Sequence, residues 1–172
     1  MRKWGILFGI VIGLWSTCVF AEAGTAVIKG TADGSSVTGT ATLSDTPAGL
    51  QVVVQVSGTP PGKHGLHIHQ SGDCAEKGNA AGGHYNPDHV TYGFVPNDGL
   101  TKAHPGDLGN IDVGADGSGS LTLVLPGIVF SGGKYSVAGR AIVLHEKVDD
   151  FGQPTGNAGS RIGCGPILLT KE

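Results

Sequence analysis

Charge of either sign is scarce in this sequence: Asp, Glu, Lys and Arg make up 15% of its 172 residues, and the formal net charge is −3. Without a basic field there is nothing to hold a polyanion, so nucleic acid is excluded as a ligand class. No acidic tail takes the place of that field. Helical stretches are missing as well. The chain carries 31 glycines, far above an ordinary share of about 7%, and each glycine weakens a helix. Those glycines follow no strict third-residue repeat, which excludes collagen. With 39% hydrophobic residues the chain is too apolar to stay disordered. One turn-rich globular domain remains.

The N-terminus carries an address. Arg2 and Lys3 precede an apolar run from Trp4 to Phe20, and Ala21-Glu22-Ala23 supplies the small-x-small pattern of a signal peptidase site. Residues 1–23 are therefore expected to be a signal peptide cleaved after Ala23, and residues 24–172 one exported domain, periplasmic or extracellular. The run is short for a membrane span and no stop-transfer pattern follows, so no stable membrane anchor is expected. Cys18 is expected to leave with the leader, because Thr17 and Trp15 do not suit a lipidation site. Cys74 and Cys164 remain, and an even pair in an exported chain reads most simply as a disulfide, against two independent thiols.

The mature chain reads as strands. Residues 26–31, 36–43 and 50–57 are rich in Val, Thr and Ile and are separated by Asp33-Gly34 and Pro47-Ala48-Gly49 turns. Val52, Val54 and Val56 share one face, with Gln51 and Gln55 on the other. Further strands are predicted over 66–70, 108–113, 120–125, 135–145 and 162–170, the middle pair joined by an Ala115-Asp116-Gly117 turn. The expected fold is all-β, an eight-stranded Greek-key sandwich or flattened barrel with two long functional loops. Residues 71–105 show no period at all, and so long a loop in a compact domain usually has a task or a ligand that holds it.

Seven histidines are the most informative feature. His67 and His69 flank Ile68 on a predicted strand, and a two-residue repeat turns both rings to one face. Alone, such a pair is more often a polar exposed face than a site. His84 lies in the long loop, His145 ends the apolar run Ala141-Ile142-Val143-Leu144, and His104 precedes Asp107 by one turn's length. Two or three imidazoles with a carboxylate suit zinc, whereas four imidazoles suit a redox copper.

In chain order, Gly65-Leu66-His67-Ile68-His69, Gly72-Asp73-Cys74, Gly83-His84-Tyr85-Asn86-Pro87, Gly106-Asp107-Leu108-Gly109-Asn110, His145-Glu146-Lys147-Val148-Asp149-Asp150 and Gly156-Asn157-Ala158-Gly159-Ser160-Arg161-Ile162-Gly163-Cys164-Gly165 resemble the successive signatures of copper-zinc superoxide dismutases. They span nearly all of residues 24–172. The short cysteine-containing loop and the leader are similar to the secreted bacterial branch. The resemblance implies an antioxidant oxidoreductase that disproportionates superoxide to oxygen and hydrogen peroxide, with copper and zinc as cofactors. Copper would be held by His67, His69, His84 and His145, with His84 also facing zinc through its other nitrogen and carrying a proton during turnover. His104 and Asp107 would complete the zinc set. Cys74 and Cys164 would form the intrasubunit disulfide, Asp149 would join a copper ligand to a zinc ligand, and His64 would pin backbone. Arg161 would guide the anion, with Lys77 and Lys147 read as ordinary surface. A homodimer is compatible with the resemblance.

The pattern breaks at one place. The family's further zinc histidine, eight or nine residues after the bridging one, falls here on Tyr92 or Gly93. His89 could swing in, Tyr92 could coordinate as a phenolate, or His84, His104 and Asp107 could stand alone with water. A phenolate must first lose a proton whose ordinary pKa is about 10. Zinc binding weaker than in relatives with a full set is expected. Leu66, where the family tends to have Phe, reads as a packing change, and by the same resemblance the stretch from His145 to Arg161 reads as shorter than in eukaryotic relatives. Two alternatives stand beside the enzyme: an exported copper storage or delivery module without turnover, and an inert sandwich with surface histidines.

Overall fold

The computed structural model describes residues 22–170; the predicted leader, with Cys18, lies outside the described residues except for Glu22 and Ala23. The described residues form eight strands: β1 (Ala23–Gly30), β2 (Thr38–Thr46), β3 (Gly49–Ser57), β4 (Gly62–His69), β5 (Asp107–Val113), β6 (Gly119–Leu125), β7 (Ala141–His145) and β8 (Arg161–Leu169). They close into an antiparallel barrel in the order β1-β2-β3-β6-β5-β4-β7-β8, with β8 pairing back to β1. β3 lies beside β6, and β4 between β5 and β7, so the chain crosses the barrel ends as a Greek key does.

Alternation decides which residues face inward. Leu50, Val52, Val54 and Val56 of β3, Ala41 and Leu43 of β2, and Ala26 and Ile28 of β1 point into one core, where they meet Ile111, Leu125, Phe130 and Ile167. Burying each such aliphatic side chain contributes about 1.5–3 kcal/mol before entropy is counted. β4 and β7 break the alternation: His64 to His69 and Ala141 to His145 are buried without exception. Leu66, Ile68, Ile142 and Leu144 face the barrel core, and the outer face is covered by the long segment 70–106. That segment is sewn to β4 by Gln70 N–H to Gly83 O (3.0 Å), Tyr85 N–H to Ile68 O (2.9 Å) and Ile68 N–H to Gly106 O (2.9 Å). Gly106 permits the last contact, since a Cβ there would stand 2.3 Å from the Ile68 carbonyl oxygen.

Two sequence expectations need correction. The strand predicted over 135–145 begins only at Ala141. Residues 135–140 instead fold against 129–130, with Val137 N–H bonded to Phe130 O at 3.1 Å and Ala138 N–H to the same oxygen at 2.9 Å, and Gly139 turns the chain at φ 76°. Burial of Val137 and Phe130 drives that turn, and strand propensity does not register it. The long loop also has structure of its own: a 3₁₀ turn at Asn79–Ala81, a helical turn α1 (Val95–Asp98) and an isolated bridge from His69 to His84. Cys74 and Cys164 are joined as a disulfide, 90 residues apart in sequence. It ties the loop to β8 and removes unfolded-state entropy worth about 4–5 kcal/mol on the loop-closure account.

Candidate metal centre

With Leu66 and Ile68 committed to the core, the period of two sends His67 and His69 to the covered outer face of β4. His145, at the end of β7, joins them from the neighbouring strand, and the isolated bridge to His69 brings His84 across from the loop. One ring nitrogen from each of His67, His69, His84 and His145 falls within 4.8 Å of the others, all four residues being buried.

Hydrogen bonds settle which nitrogen each ring has to spare. His69 Nδ1 donates to Gly82 O at 2.9 Å and His145 Nδ1 to Gly159 O at 3.2 Å. That leaves two bare Nε2 lone pairs 3.3 Å apart, an arrangement that repels unless a cation lies between them. His67 spends Nε2 on Asp149 at 3.0 Å, and its Nδ1 is buried with no partner. His84 places Nδ1 3.1 Å from Asp107 Oδ1, which frees Nε2. Burial, with smaller contributions from the neighbouring rings and Arg161, pulls His69 down to about 3 and His145 to about 4, and burial holds His67 well below the ordinary value. These three rings are therefore neutral and their lone pairs available, as metal ligands must be. Four converging imidazoles without thiolates fit a copper ion.

The second set grows from the loop. Asp107 Oδ2 accepts the backbone N–H groups of His104 (2.8 Å) and Gly93 (3.2 Å), which leaves Oδ1 3.1 Å from both His84 Nδ1 and His104 Nδ1. His104 donates from Nε2 to Val90 O at 3.1 Å, and its Nδ1, facing Asp107 Oδ1, is buried without a hydrogen bond. His84, His104 and Asp107 thus form a cluster suited to a cation, with three protein donors where a closed structural zinc site has four.

Tyr92 is buried beside both sets, its ring against those of His67, His84 and His104. Its hydroxyl donates to Asp149 Oδ2 and lies 3.0 Å from His67 Nε2. Burial and the Asp149 carboxylate raise the phenol above its ordinary pKa, so Tyr92 is a proton donor here. Burial also raises Asp149, with the Tyr92 hydroxyl and the Phe151 N–H acting against it. His89 is exposed at φ 53° and stands outside both clusters, on the rim of a cavity of about 300 Å³ that also touches His84, Tyr92, His104 and Gln153.

Arg161 is half-buried and donates to Gly78 O and, at 2.6 Å, to Gly82 O, the same carbonyl that fixes His69. It lines a cavity of about 960 Å³ together with Lys77 and Glu146, while Lys147 lies exposed against Gly159. His64 faces the carbonyls of His145 (2.9 Å) and Pro60 (2.8 Å) and pins backbone. Sequence reasoning missed the carbonyls of Gly82 and Gly159, which carry no residue signature. It also missed Asn110, whose side chain grips the backbone of Asp149 through bonds of 2.9 and 2.8 Å.

Comparison with known proteins gives a consistent picture. Residues 37–167 match the family described as copper/zinc superoxide dismutase (SODC). The chain is 42% identical over 141 residues to an extracellular superoxide dismutase [Cu-Zn] of Caenorhabditis elegans, a match covering 78% of this chain and 62% of that protein. It is 43% identical over 123 residues to superoxide dismutase [Cu-Zn] 5 of Dictyostelium discoideum, covering 67% and 78% respectively. Among solved structures, a crystal structure of the clock protein EA4 superposes with a TM-score of 0.76 at 34% identity, covering 91% of this chain and all of that one.

Proposed function

Since the chain belongs to the copper/zinc superoxide dismutase family, we propose that it disproportionates superoxide, two superoxide anions and two protons giving oxygen and hydrogen peroxide. The observation that carries this reading is the pair of opposed Nε2 lone pairs on His69 and His145, 3.3 Å apart, beside the unpartnered His67 Nδ1. His67 Nδ1 and the Nε2 atoms of His69, His84 and His145 would hold copper, which when bound supplies the one-electron couple that oxidises one superoxide and reduces the next. When it is not engaged by copper, the same His84 Nε2 is placed to hold a proton and pass it to the reduced product. Arg161 offers a permanent positive charge with planar donors to a small anion, and its bonds to Gly78 and Gly82 keep it rigid while doing so. Burial of the rings keeps water from competing for their lone pairs.

The second set supports a zinc site that is present but short of one protein donor. Zinc bound there would tie His84, His104 and Asp107 together, and we assign it no part in electron transfer. Residues 1–23 are read as a leader removed on export, a reading that the extracellular name of one relative and the disulfide support. No helix of the described residues is long and apolar enough to cross a membrane.

Copper titration followed by pulse measurement of superoxide decay tests the proposal. One copper per chain with rapid superoxide consumption is expected. Tight copper uptake without turnover would turn the reading to a storage or delivery module, and no copper uptake would turn it to an inert sandwich.

A further inference from the structure

In the second set no ring reaches Asp149. His104 Nε2 is bonded to Val90 O and His84 Nδ1 to Asp107, so among the described residues neither imidazole connects a metal in that set to the carboxylate that orients His67. Instead the hydroxyl of Tyr92, buried beside both sets, donates directly to Asp149 Oδ2. The same Asp149 oxygen lies 3.0 Å from His67 Nε2.

Tyr92 is itself held from several sides. The Gln153 carboxamide clasps its backbone at both ends, through Tyr92 N–H to Gln153 Oε1 at 3.0 Å and Gln153 Nε2 to Tyr92 O at 2.9 Å. Phe151 stacks on its ring at 6.4 Å between centroids, and the next residue, Gly93, donates to Asp107. Gly156 leaves the space: a Cβ there would stand 2.8 Å from the Tyr92 hydroxyl and 2.0 Å from Asp149 Oδ1. Segments 70–106 and 146–160 are thus joined at this point by hydrogen bonds and ring packing between protein groups.

We propose that Tyr92 is a positioning residue: through Asp149 it fixes the ring of His67, so that the four-imidazole cluster keeps its shape whether or not a metal fills the second set. The proposal rests on the reading that this cluster binds copper. It gives the Tyr92 substitution a consequence beyond a lost ligand, because the link between the two loops no longer depends on zinc.

The electron paramagnetic resonance spectrum of copper(II) in the otherwise metal-free full domain, recorded before and after zinc addition, is the primary test. The unsubstituted protein should give one spectrum under both conditions. Tyr92→Phe keeps the ring and removes the hydroxyl. It should shift the spectrum and weaken copper binding by about 10–100-fold, the range typical of lost outer partners of a metal ligand, and zinc should not restore either. Asp149→Asn, which alters the acceptor instead of the donor, should shift the spectrum in the same direction. In the metal-free protein, Tyr92→Phe should raise amide exchange across residues 149–156. The proposal is overturned if zinc alone moves the unsubstituted spectrum as far as Tyr92→Phe does, if Asp149→Asn shifts the spectrum while Tyr92→Phe does not, or if exchange is unchanged. A protein that takes up no copper would overturn the functional reading as well, whereas a copper-binding, zinc-sensitive one would overturn this inference alone.

Discussion

The two donor sets share His84 but are built on different foundations. Three members of the first, His67, His69 and His145, stand on adjacent barrel strands whose opposite faces fill the core, so their positions follow from the pleat and the register of β4 against β7. The second takes His104 from the loop and Asp107 from the first residue of β5. Its geometry depends on loop contacts such as Val90 O to His104 and Gly93 N–H to Asp107. Strand-borne donors are held in place by the packing of their strand neighbours. A loop-borne donor can be replaced while the barrel remains intact.

The largest expected effect lies in the first set. His145→Ala removes one of the two opposed lone pairs and should lower copper affinity by more than the about 10–100-fold seen when only an outer partner is lost. Superoxide turnover should vanish with it. The barrel should stay folded, since His145 is the last residue of its strand and Leu144 supplies the core contact. Competition against a copper chelator, with circular dichroism as the control for folding, measures both. Retention of copper affinity within a few-fold would show that the pleat does not set this site.

A smaller effect is expected where the two sets meet. Gly156 has φ 75°, and its absent side chain is what admits Asp149 and Tyr92. Gly156→Ala should destabilise the protein by about 1–3 kcal/mol through overpacking and strain. For a chain of this size that corresponds to about 2–4 °C in Tm per kcal/mol. Differential scanning calorimetry of the metal-free protein reads the shift without any contribution from bound ions. An unchanged Tm would mean that the junction of the loops is loose, and the contrast between a packed set and a loop-held set would then be weaker than drawn.

How much of this could be read from the sequence follows the same division. The four imidazoles were legible because a period of two and a strand-ending histidine are local signals, and the six motifs supply their order. The barrel was legible from alternation, except at residues 135–140, where burial of Val137 outweighed strand propensity. Tyr92 was legible only as a departure. Its partner Asp149 lies 57 residues away on another loop, and nothing in either neighbourhood states that a hydroxyl and a carboxylate will meet. The carbonyls of Gly82 and Gly159, which choose the free nitrogen of His69 and His145, are backbone and have no pattern to read.

The smallest effect separates the ways of completing the second set. His89 is exposed, holds a left-handed backbone conformation at φ 53°, and contributes no nitrogen to the cluster of His84, His104 and Asp107. To reach that cluster it would have to move the turn in which its N–H meets Asn86 O and in which Asn86 grips Val90 through bonds of 3.0 and 3.1 Å. The Val90 carbonyl also fixes His104, so recruiting His89 would disturb a donor already in place. His89→Ala should therefore leave zinc affinity within about twofold, less than 0.5 kcal/mol. Calorimetric titration with zinc decides it. A tenfold loss on removing His89 would mean that the loop rebuilds itself around the ion, and the second set would then owe its completeness to a rearrangement that the first, fixed on strands, cannot make.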